Sequence, residues 1–390
     1  MPGLNGRETV ILEAVRTPIG RGHQEKGYYR NTHPADLLGL TYVELLKRAG
    51  ADPKVVELVL AGCVQQFGTQ SFDIARNAWL QEGLPIEASA TTLDTQCGSG
   101  QQSVGFASSL IASGIHDVVI GSGVEHMGLN GFGSSDRVHD EYGSPWTKKF
   151  FAQHDVRGQG MGAELIAAER GITREQVDEL AVRSHRNAAR ARDNGWFDRE
   201  IVPVDAADGR VTTDQGIRDD TSMEALGALK PVFLEDGIVT AGGASQVSDG
   251  AAALLLSTAE KAEELGIRPR ARVVDHLSVG CDPVKMLEGP IPATRKILER
   301  NGMTIGDIDF VEINEAFAPV VLAWAQEFQP DMDRVNPRGG AMALGHPLGS
   351  TGARLLTTLL HELEDEDKEF GLVTMCCGGG IGTATLIQRL

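Results

Sequence analysis

The sequence has few aromatic residues, few cysteines and no long apolar segment. Aromatic residues make up 5% of the 390 residues. No apolar stretch approaches the ~20 residues of a membrane-crossing helix, so no membrane span is predicted. The five cysteines are odd in number and scattered, which favours a reducing compartment over a disulfide framework. They are Cys63, Cys97, Cys281, Cys376 and Cys377. No pair has the spacing of a zinc knuckle, so no metal site is expected.

Positive charge is in deficit. The chain has 36 Lys and Arg against 54 Asp and Glu, a formal net charge of −18. This balance argues against broad binding of nucleic acid or of an anionic membrane. It leaves room for a phosphorylated ligand, which needs only a few local donors. The first ten residues carry Arg7 and Glu8 and lack the apolar core of a secretory signal. These features predict a cytoplasmic protein.

Glycine, in contrast, is abundant at 47 of 390 residues. Without a collagen period, this abundance predicts tight turns and close backbone approaches. Hydrophobic residues at 41% and charged residues at 23% are ordinary for a folded globular chain. At roughly 150 residues per domain, the length predicts two or three domains, or one large duplicated domain.

Hydrophobic periodicity predicts a mixed α/β fold. Strands are predicted over residues 8–14, 117–123 and 270–278, and helices over 36–49 and 172–194, while residues 55–64 form an apolar segment that ends near a turn at Gly68. Thr173 is the predicted N-cap of the second helix. The final residues, 370–390, are predicted as strand, glycine turn and strand. Between about 125 and 231, charges and amphipathic helices indicate an insertion or cap on a more apolar core.

The first motif with possible chemistry surrounds Cys97. The segment 95–102 reads T-Q-C-G-S-G-Q-Q, and the residues after it have the periodicity of a helix. Cys97 would lie at or just before the helix N-terminus, where the helix dipole lowers a thiol pKa from about 8.5. The alternative, a small buried cysteine, stays open on this motif alone.

The second motif, residues 339–347, reads G-G-A-M-A-L-G-H-P. Gly340 and Gly345 have P-loop spacing, but His346 and Pro347 replace the required Lys and Ser or Thr. Nucleoside triphosphate binding is therefore not expected. Taken alone, His346 is predicted to be a capping or hydrogen-bonded structural residue. The functional alternative is a base or an oxyanion donor. Like Cys97, His346 is followed by small residues and then a helical pattern, which hints at duplication.

Two further motifs end in candidate polar groups. Asn314 is a possible cap of the helix that follows it, and Glu312 and Glu315 are predicted to be solvated or structural.

Cys376 and Cys377 precede a run of three glycines. This run suits backbone donors aimed at an oxyanion, or alternatively a tight hairpin with two buried cysteines. A cysteine nucleophile with a histidine partner is a standard acyl-transfer pair.

These four blocks together resemble the thiolase family, the 3-ketoacyl-CoA thiolases and acetyl-CoA acetyltransferases. The resemblance runs from residues 10–18, V-I-L-E-A-V-R-T-P, almost to the C-terminus. Segments 97–102 and 330–336 look closest to degradative members of actinobacteria, some of which act on steroid-derived CoA esters. The resemblance implies a duplicated five-layered αβαβα fold with an inserted loop domain. It divides the chain into an N-terminal half (1–124), the insertion (125–250, partly returning to the N-terminal half near 240–270) and a C-terminal half (271–390).

The resemblance also implies roles for residues at matching positions. Cys97 is the acylated nucleophile, and His346 lowers its thiol pKa and helps to hold the substrate carbonyl. Asn314 positions a water that forms a first oxyanion hole with His346. Cys376, two residues before the glycine run, is the acid/base. The backbone N–H groups of Cys97 and Gly378 form a second oxyanion hole.

The resemblance also implies which residues contact coenzyme A and the acyl group. Ser245 resembles the pantetheine contact, Arg218 meets the nucleotide end and Met161 lines the acyl pocket. Coenzyme A is then a substrate, no cofactor is tightly bound, and the protein is a homodimer or homotetramer. Gly160 stands where short-chain biosynthetic members have a histidine, which is compatible with a bulkier acyl group.

The predicted activity is thiolytic cleavage of 3-ketoacyl-CoA in lipid degradation, with steroid side chains as one candidate substrate class. Three alternatives remain. A biosynthetic acetoacetyl-CoA thiolase has the same motifs. A ketosynthase-like condensing enzyme usually pairs its cysteine with two histidines or with histidine and asparagine. A non-catalytic lipid carrier of the same fold would be expected to lack one or more of Cys97, Asn314, His346 and Cys376, all of which are present.

Overall fold

The computed structural model of the protein describes residues 7–131 and 134–390. Residues 1–6 of the predicted N-terminal half and residues 132 and 133 of the predicted insertion lie outside this range. The strands are β1 (Thr9–Arg16), β2 (Gly20–Arg21), β3 (Leu58–Gly62), β4 (Ser89–Leu93), β5 (Val118–His126), β6 (Val204–Ala206), β7 (Gly209–Val211), β8 (Ser248–Thr258), β9 (Ala271–Gly280), β10 (Phe310–Ile313), β11 (Phe370–Cys377) and β12 (Ile381–Arg389).

The helices alternate with these strands, as the periodicity predicts. They are α1 (Pro34–Ala49), α2 (Ile74–Gln81), α3 (Ser99–Ala112), α4 (Ser134–Tyr142), α5 (Lys148–Gln153), α6 (Gln159–Arg170), α7 (Arg174–Asp193), α8 (Met223–Gly227), α9 (Ala259–Leu265), α10 (Pro290–Asn301), α11 (Ala318–Phe328) and α12 (Thr351–Asp365). Thr173 caps α7 and forms a capping box with Gln176, which confirms the predicted N-cap.

A sheet of ten strands runs through the molecule in the order β10-β11-β12-β9-β1-β8-β5-β3-β4, with β2 beside β8. Each half repeats one pattern. In the first half β1 pairs antiparallel with β8, β8 antiparallel with β5, and β5 parallel with β3. In the second half β9, β12, β11 and β10 pair in the same directions. The halves join where β1 meets β9 through two residue pairs, Val10 with Arg272 and Ile11 with Ala271.

Helices α3 and α12 lie between the two halves of the sheet. Their apolar side chains form one buried cluster with side chains of β1, β8 and β11. The cluster includes Val104 and Ile111 of α3, Leu355 and Leu359 of α12, and Leu254 and Val373 of the sheet. The outer face of the first half is covered by α1 and α2, and that of the second half by α10, α11 and α6. The order of layers is thus α, β, α, β, α, which confirms the predicted fold.

The described residues of the segment between β5 and β8, 127–131 and 134–247, contribute no strand to the large sheet. It contains α4 to α8 and the β6–β7 hairpin. Two buried ion pairs attach it to β1, since Arg16 contacts Glu200 at 2.6 Å and Asp214 at 2.7 Å. Within the described ranges, no helix is both long and apolar enough to cross a membrane.

Candidate active site

The first turns of α3 and α12 touch backbone to backbone. A Cβ atom on Gly100 would lie 2.7 Å from the carbonyl oxygen of Gly349 and 3.0 Å from the nitrogen of Ala353. A Cβ atom on Gly349 would lie 2.7 Å from the Cα of Cys63. Such distances exclude any side chain larger than hydrogen, so part of the glycine content is explained by this contact. The contact brings the segment of Cys97 and the segment of His346 to the same end of the central helix layer.

Cys97 lies just before Gly98, the N-cap residue of α3. The preceding residue, Gln96, has a φ of 52°, a left-handed conformation that is uncommon outside glycine. Two hydrogen bonds hold this turn: the Gln96 N–H donates to Asp94 at 2.6 Å, and the Thr95 N–H donates to the Ser99 hydroxyl at 2.8 Å. The structure therefore places the nucleophile candidate at the predicted position, in a tightly held turn.

The pKa of Cys97 differs from the sequence expectation. Burial raises the thiol pKa to about 12, although the N–H groups of Gly378 and of Cys97 itself act in the opposite direction. The predicted lowering is therefore wrong for the free protein, because loss of hydration outweighs the effect of these two N–H groups on the thiol pKa. The thiol is protonated near neutral pH and needs a base to become nucleophilic. The same two N–H groups are the ones implied for the second oxyanion hole.

His346 has partners on both ring nitrogens. Its Nδ1 lies 2.7 Å from the Thr351 hydroxyl, and its Nε2 lies 3.3 Å from Nδ2 of Asn314. Burial lowers the pKa of the ring to about 3, and the nearby cation of Arg354 acts in the same direction. The imidazole is therefore neutral near pH 7 and has one unprotonated nitrogen.

Asn314 follows β10 directly, and its N–H donates to the carbonyl of Thr374 at 3.1 Å. The cap interpretation of Asn314 is wrong, because α11 begins at Ala318 and its N-cap position is occupied by Phe317. The Oδ1 atom of Asn314 is buried and has no hydrogen-bond partner among the described residues. An unpaired buried acceptor is costly, so a water donating to this oxygen is physically favoured.

The two cysteines of β11 lie on opposite faces of the sheet, as strand alternation requires. Cys376 belongs to the apolar cluster of the outer face with Met286, Ile313 and Met342. Cys377 faces α3 instead, since a Cβ atom on Gly98 would lie 2.6 Å from its sulfur. Burial raises the pKa of both thiols. The glycines after them form the turn of the β11–β12 hairpin, so the predicted hairpin is confirmed.

The two glutamates of the third motif are structural. Glu312 contacts Arg354 of α12 at 3.3 Å, and both side chains are buried. Glu315 accepts hydrogen bonds from Ser184 at 2.6 Å and from Asn336 at 3.0 Å. Neither carboxylate is solvated, because Glu312 on β10 and Glu315 just after it are both buried. Burial raises the pKa of both carboxyl groups.

The three residues implied to contact coenzyme A differ in their surroundings. The N–H of Ser245 donates to the carbonyl of Ala316, two residues after Asn314, at 2.9 Å. Met161 is half-buried near the start of α6, where the neighbouring Gln159 amide lies close to Gly378. Arg218 is exposed, and its backbone N–H donates to His185 at 3.1 Å. The structure thus places Ser245 beside the segment that follows Asn314 and Met161 near Gly378, and leaves Arg218 at the surface.

Gly160 does not border empty space. A Cβ atom there would collide with the ring of Phe233. That ring is 38% exposed and packs edge-to-face on Phe317 with 5.8 Å between ring centroids. The phenyl ring therefore fills the volume next to Gly160.

Sequence reasoning missed two residues that hold the site together. The buried Glu125 at the end of β5 accepts from the N–H groups of Val64 at 2.9 Å and Gly349 at 2.9 Å, which links the two halves. A single carboxylate at the end of an apolar strand was the sequence feature that could have indicated this buried, hydrogen-bonded glutamate. Thr351, the first residue of α12, holds Nδ1 of His346. Threonine is common at the start of a helix, so the sequence alone gives no sign that Thr351 contacts His346.

Two thiolase family models match the chain, the N-terminal domain over residues 9–260 and the C-terminal domain over residues 267–389. The chain belongs to the thiolase family. A steroid 3-ketoacyl-CoA thiolase of Mycobacterium tuberculosis is 44% identical over 99% of this chain and 96% of its own length. A 3-ketoacyl-CoA thiolase of Idiomarina loihiensis is 43% identical over 98% of this chain and 100% of its own length.

A solved structure gives the same result for the fold. The acetyl-CoA acetyltransferase of Bacillus anthracis superposes with a TM-score of 0.87 at 36% identity, covering 100% of both chains. The resemblance stated from the four sequence blocks is therefore confirmed. Across residues 7–131 and 134–390, no group of three or more His, Cys, Asp or Glu side chains is arranged to hold a metal ion.

Proposed function

We propose that this thiolase cleaves 3-ketoacyl-CoA with coenzyme A, giving acetyl-CoA and an acyl-CoA shortened by two carbons. One observation carries the proposal: the buried Cys97 thiol at a helix start and a neutral histidine hydrogen-bonded to Asn314 are brought to the same end of α3 and α12, next to Cys376, whose thiol pKa is raised by burial and by the nearby Cys97. The names of the curated relatives point to the same activity.

The first half-reaction begins with proton transfer from Cys97 to Nε2 of His346, and the thiolate and imidazolium form together as an ion pair whose opposite charges offset the cost of burying each one alone. The thiolate adds to the 3-keto carbon, and the N–H groups of Cys97 and Gly378 stabilise the resulting alkoxide, each donor contributing about 3 kcal/mol. The bond between carbons 2 and 3 then breaks. Protonated His346 and the water held by Asn314 stabilise the enolate oxygen of the departing thioester. Cys376 gives its proton to carbon 2, which releases acetyl-CoA.

The second half-reaction returns the protons. Coenzyme A enters as a thiol and gives its proton to the Cys376 thiolate. Its sulfur then adds to the acyl carbon on Cys97, and the same N–H pair stabilises the alkoxide. The Cys97 thiolate departs and regains its proton from His346. Two half-reactions joined by an acyl-enzyme predict ping-pong kinetics.

The proposal extends to the substrate and its contacts. Ser245 contacts the pantetheine arm, Arg218 meets the nucleotide end of coenzyme A, and Met161 lines the acyl pocket. The acyl group is larger than acetyl and is fatty or steroid-derived. The partly exposed ring of Phe233 must shift to admit it, since this ring fills the volume beside Gly160.

A cytoplasmic homodimer or homotetramer completes the proposal, and sedimentation analysis tests the oligomeric part.

The test is intact mass measurement, with peptide mapping, after exposure to 3-ketoacyl-CoA esters. The panel runs from acetoacetyl-CoA through long-chain to steroid-type esters, with Cys97→Ala as control. We expect a substrate-dependent acyl adduct on the Cys97 peptide that free coenzyme A discharges. Preference for acetoacetyl-CoA favours the biosynthetic alternative. Failure of every ester to label folded, coenzyme A-binding protein favours a lipid carrier or a condensing enzyme with another donor.

The role of Cys376 has its own test. Cys376→Ser keeps the shape of the side chain but replaces the thiol with a weaker acid. We expect acylation of Cys97 to persist in a single turnover while steady-state turnover falls by about 10²–10⁴-fold, the usual contribution of a positioned acid/base. Cys63→Ser is the matched control, because Cys63 is also a buried thiol and lies outside β11. Normal turnover in Cys376→Ser excludes the role.

A further inference from the structure

The ring of His346 is fixed by two polar neighbours whose own hydrogen positions are constrained. Nδ1 lies 2.7 Å from the hydroxyl oxygen of Thr351, and Nε2 lies 3.3 Å from the amide nitrogen of Asn314. Both neighbours are buried, and so is the imidazole. A neutral imidazole carries one proton, which can sit on either nitrogen, and the neighbours decide which.

The hydroxyl of Thr351 has a single hydrogen. It donates to the carbonyl oxygen of Pro347, four residues earlier, at 2.8 Å. This bond leaves only lone pairs directed at His346, so Nδ1 is the donor of the bond to Thr351. On the other side of the ring, the amide nitrogen of Asn314 can only donate, so Nε2 is the acceptor. The Thr351 contact thus places the ring proton on Nδ1, and the Asn314 contact agrees with this placement.

The ring must be neutral for this selection to matter, and its surroundings keep it so. Burial and the cation of Arg354 lower the pKa of His346 to about 3. Arg354 belongs to the same helix as Thr351 and pairs with Glu312 of β10, two residues before Asn314. The elements that carry Thr351 and Asn314 are therefore clamped together by a buried ion pair.

We propose that Thr351 is a positioning residue that fixes the tautomer of His346, with the proton on Nδ1 and Nε2 as the unprotonated nitrogen. This inference rests on the proposed thiolase reaction, in which Nε2 takes the proton from Cys97. The S–H bond breaks, the N–H bond forms on Nε2, and the resulting imidazolium keeps its Nδ1 proton on Thr351. With the opposite tautomer, Nε2 already carries a hydrogen and cannot accept the thiol proton.

The experiment uses three variants of the full chain. Thr351→Val removes the hydroxyl at nearly constant shape, and Thr351→Ser retains it. Thr357→Val is the matched control, because Thr357 is a buried residue of the same helix whose hydroxyl donates to the carbonyl of Ala353 at 2.9 Å. Thr357→Val removes the same kind of hydrogen bond within α12, but the hydroxyl that it removes is not a partner of His346.

The first measurement is ¹⁵N NMR of protein labelled at its ten histidines, with the His346 signals assigned from the H346N spectrum. Long-range ¹H–¹⁵N correlations distinguish the two neutral tautomers. We expect the Nδ1-protonated form in the wild type, in Thr351→Ser and in Thr357→Val, and a shift towards the Nε2-protonated form in Thr351→Val. An Nε2-protonated wild type overturns the proposal without any variant.

The second measurement is the single-turnover rate of Cys97 acylation. We expect Thr351→Val to slow acylation on the order of 10- to 100-fold. This is part of the 10²–10⁴-fold rate acceleration that a positioned base supplies. Thr351→Ser and Thr357→Val should stay within about threefold of wild type, and the dissociation constant of coenzyme A should not change. Equal acylation rates in Thr351→Val and Thr357→Val overturn the proposal. If no ester acylates Cys97, the proposed function fails, while the NMR spectrum still decides the tautomer.

Discussion

Helices α3 and α12 occupy equivalent places in the repeated topology, yet they present their reactive residues differently. Cys97 stands directly before the cap of α3, whereas four residues separate His346 from Thr351, where α12 begins. Around Cys97, the groups that favour the thiolate are backbone N–H groups, those of Cys97 and Gly378. Around His346, the partners are the side chains of Thr351 and Asn314.

This difference has a consequence for how each residue can be altered. Substitution cannot delete a backbone N–H group except by proline, so the surroundings of the nucleophile tolerate many side-chain changes. A hydroxyl or an amide is removed by a single substitution, so the surroundings of the base are easily lost. The repeated topology thus supports a nucleophile held by the main chain and a base held by side chains.

The largest expected effect comes from removing the nucleophile itself. Cys97→Ala should reduce acyl transfer at least about 10⁴-fold, since loss of a nucleophile removes the covalent route entirely. Cys63→Ala is the matched control, because Cys63, directly after β3, is also a buried thiol. The measurement is thiolysis followed by the loss of 3-ketoacyl-CoA absorbance. Appreciable turnover in Cys97→Ala contradicts the assignment.

The buried ion pair beneath the base should give the next largest effect. Arg354→Met leaves Glu312 buried without its partner, which we expect to lower the free energy of unfolding by about 3–5 kcal/mol. Adding Glu312→Gln to that variant should restore part of the loss. Arg199→Met removes an arginine whose side chain is 55% exposed and should cost less than about 1 kcal/mol. Urea denaturation measures the free energy of unfolding of all three variants. Equal losses in Arg354→Met and Arg199→Met would show that the buried pair of Arg354 and Glu312 does not hold α12 and β10 together.

Deletion of a side-chain partner of the base tests the comparison directly. Asn314→Ala should lower kcat by about 10²–10³-fold, the usual effect of losing one donor of an oxyanion hole. The KM for coenzyme A should change little, because Asn314 is expected to act on the enolate rather than on the nucleotide. Steady-state kinetics with a fixed 3-ketoacyl-CoA ester give both constants. A loss smaller than tenfold argues that the main-chain donors suffice.

The smallest effect concerns the contact that brings the two helices together. Gly100→Ala places a Cβ atom against the carbonyl of Gly349 and should destabilise the fold by about 1–3 kcal/mol. Gly227→Ala, at an open position at the end of α8, is the control and should be neutral or stabilising by up to about 1 kcal/mol. Thermal unfolding followed by circular dichroism compares the two. A neutral Gly100→Ala shows that the helices can separate slightly.

Local signals in the sequence predicted most of the elements. Alternating and helical periodicities located β1 and α1, and Thr173 followed by Gln176 marked the start of α7. Motif order led to the family and to Cys97, His346 and Cys376 as candidates. Their positions before α3, before α12 and at the end of β11 depend only on neighbouring residues. These features could be predicted because each depends on short stretches of chain.

Tertiary properties could not be predicted in the same way. The helix start favours a Cys97 thiolate, but burial by distant segments dominates its pKa. The cap predicted at Asn314 failed because the chain continues for three further residues before α11 begins. Glu125 and Gly349 are bonded across 224 positions of sequence, a distance at which no local pattern carries information. The tautomer of His346 likewise depends on two side chains that the fold brings together.

The junction of the two halves limits how a substrate can enter. Strands β1 and β9 share only two residue pairs, so the sheet itself holds the halves together weakly. The side chains of α3 and α12 hold them instead, within one continuous apolar cluster. A clamshell opening between the halves would expose that cluster to water and separate Cys97 from His346. Access for a long acyl-CoA must therefore come from rearrangement of surface segments, while the catalytic groups stay assembled through the whole cycle.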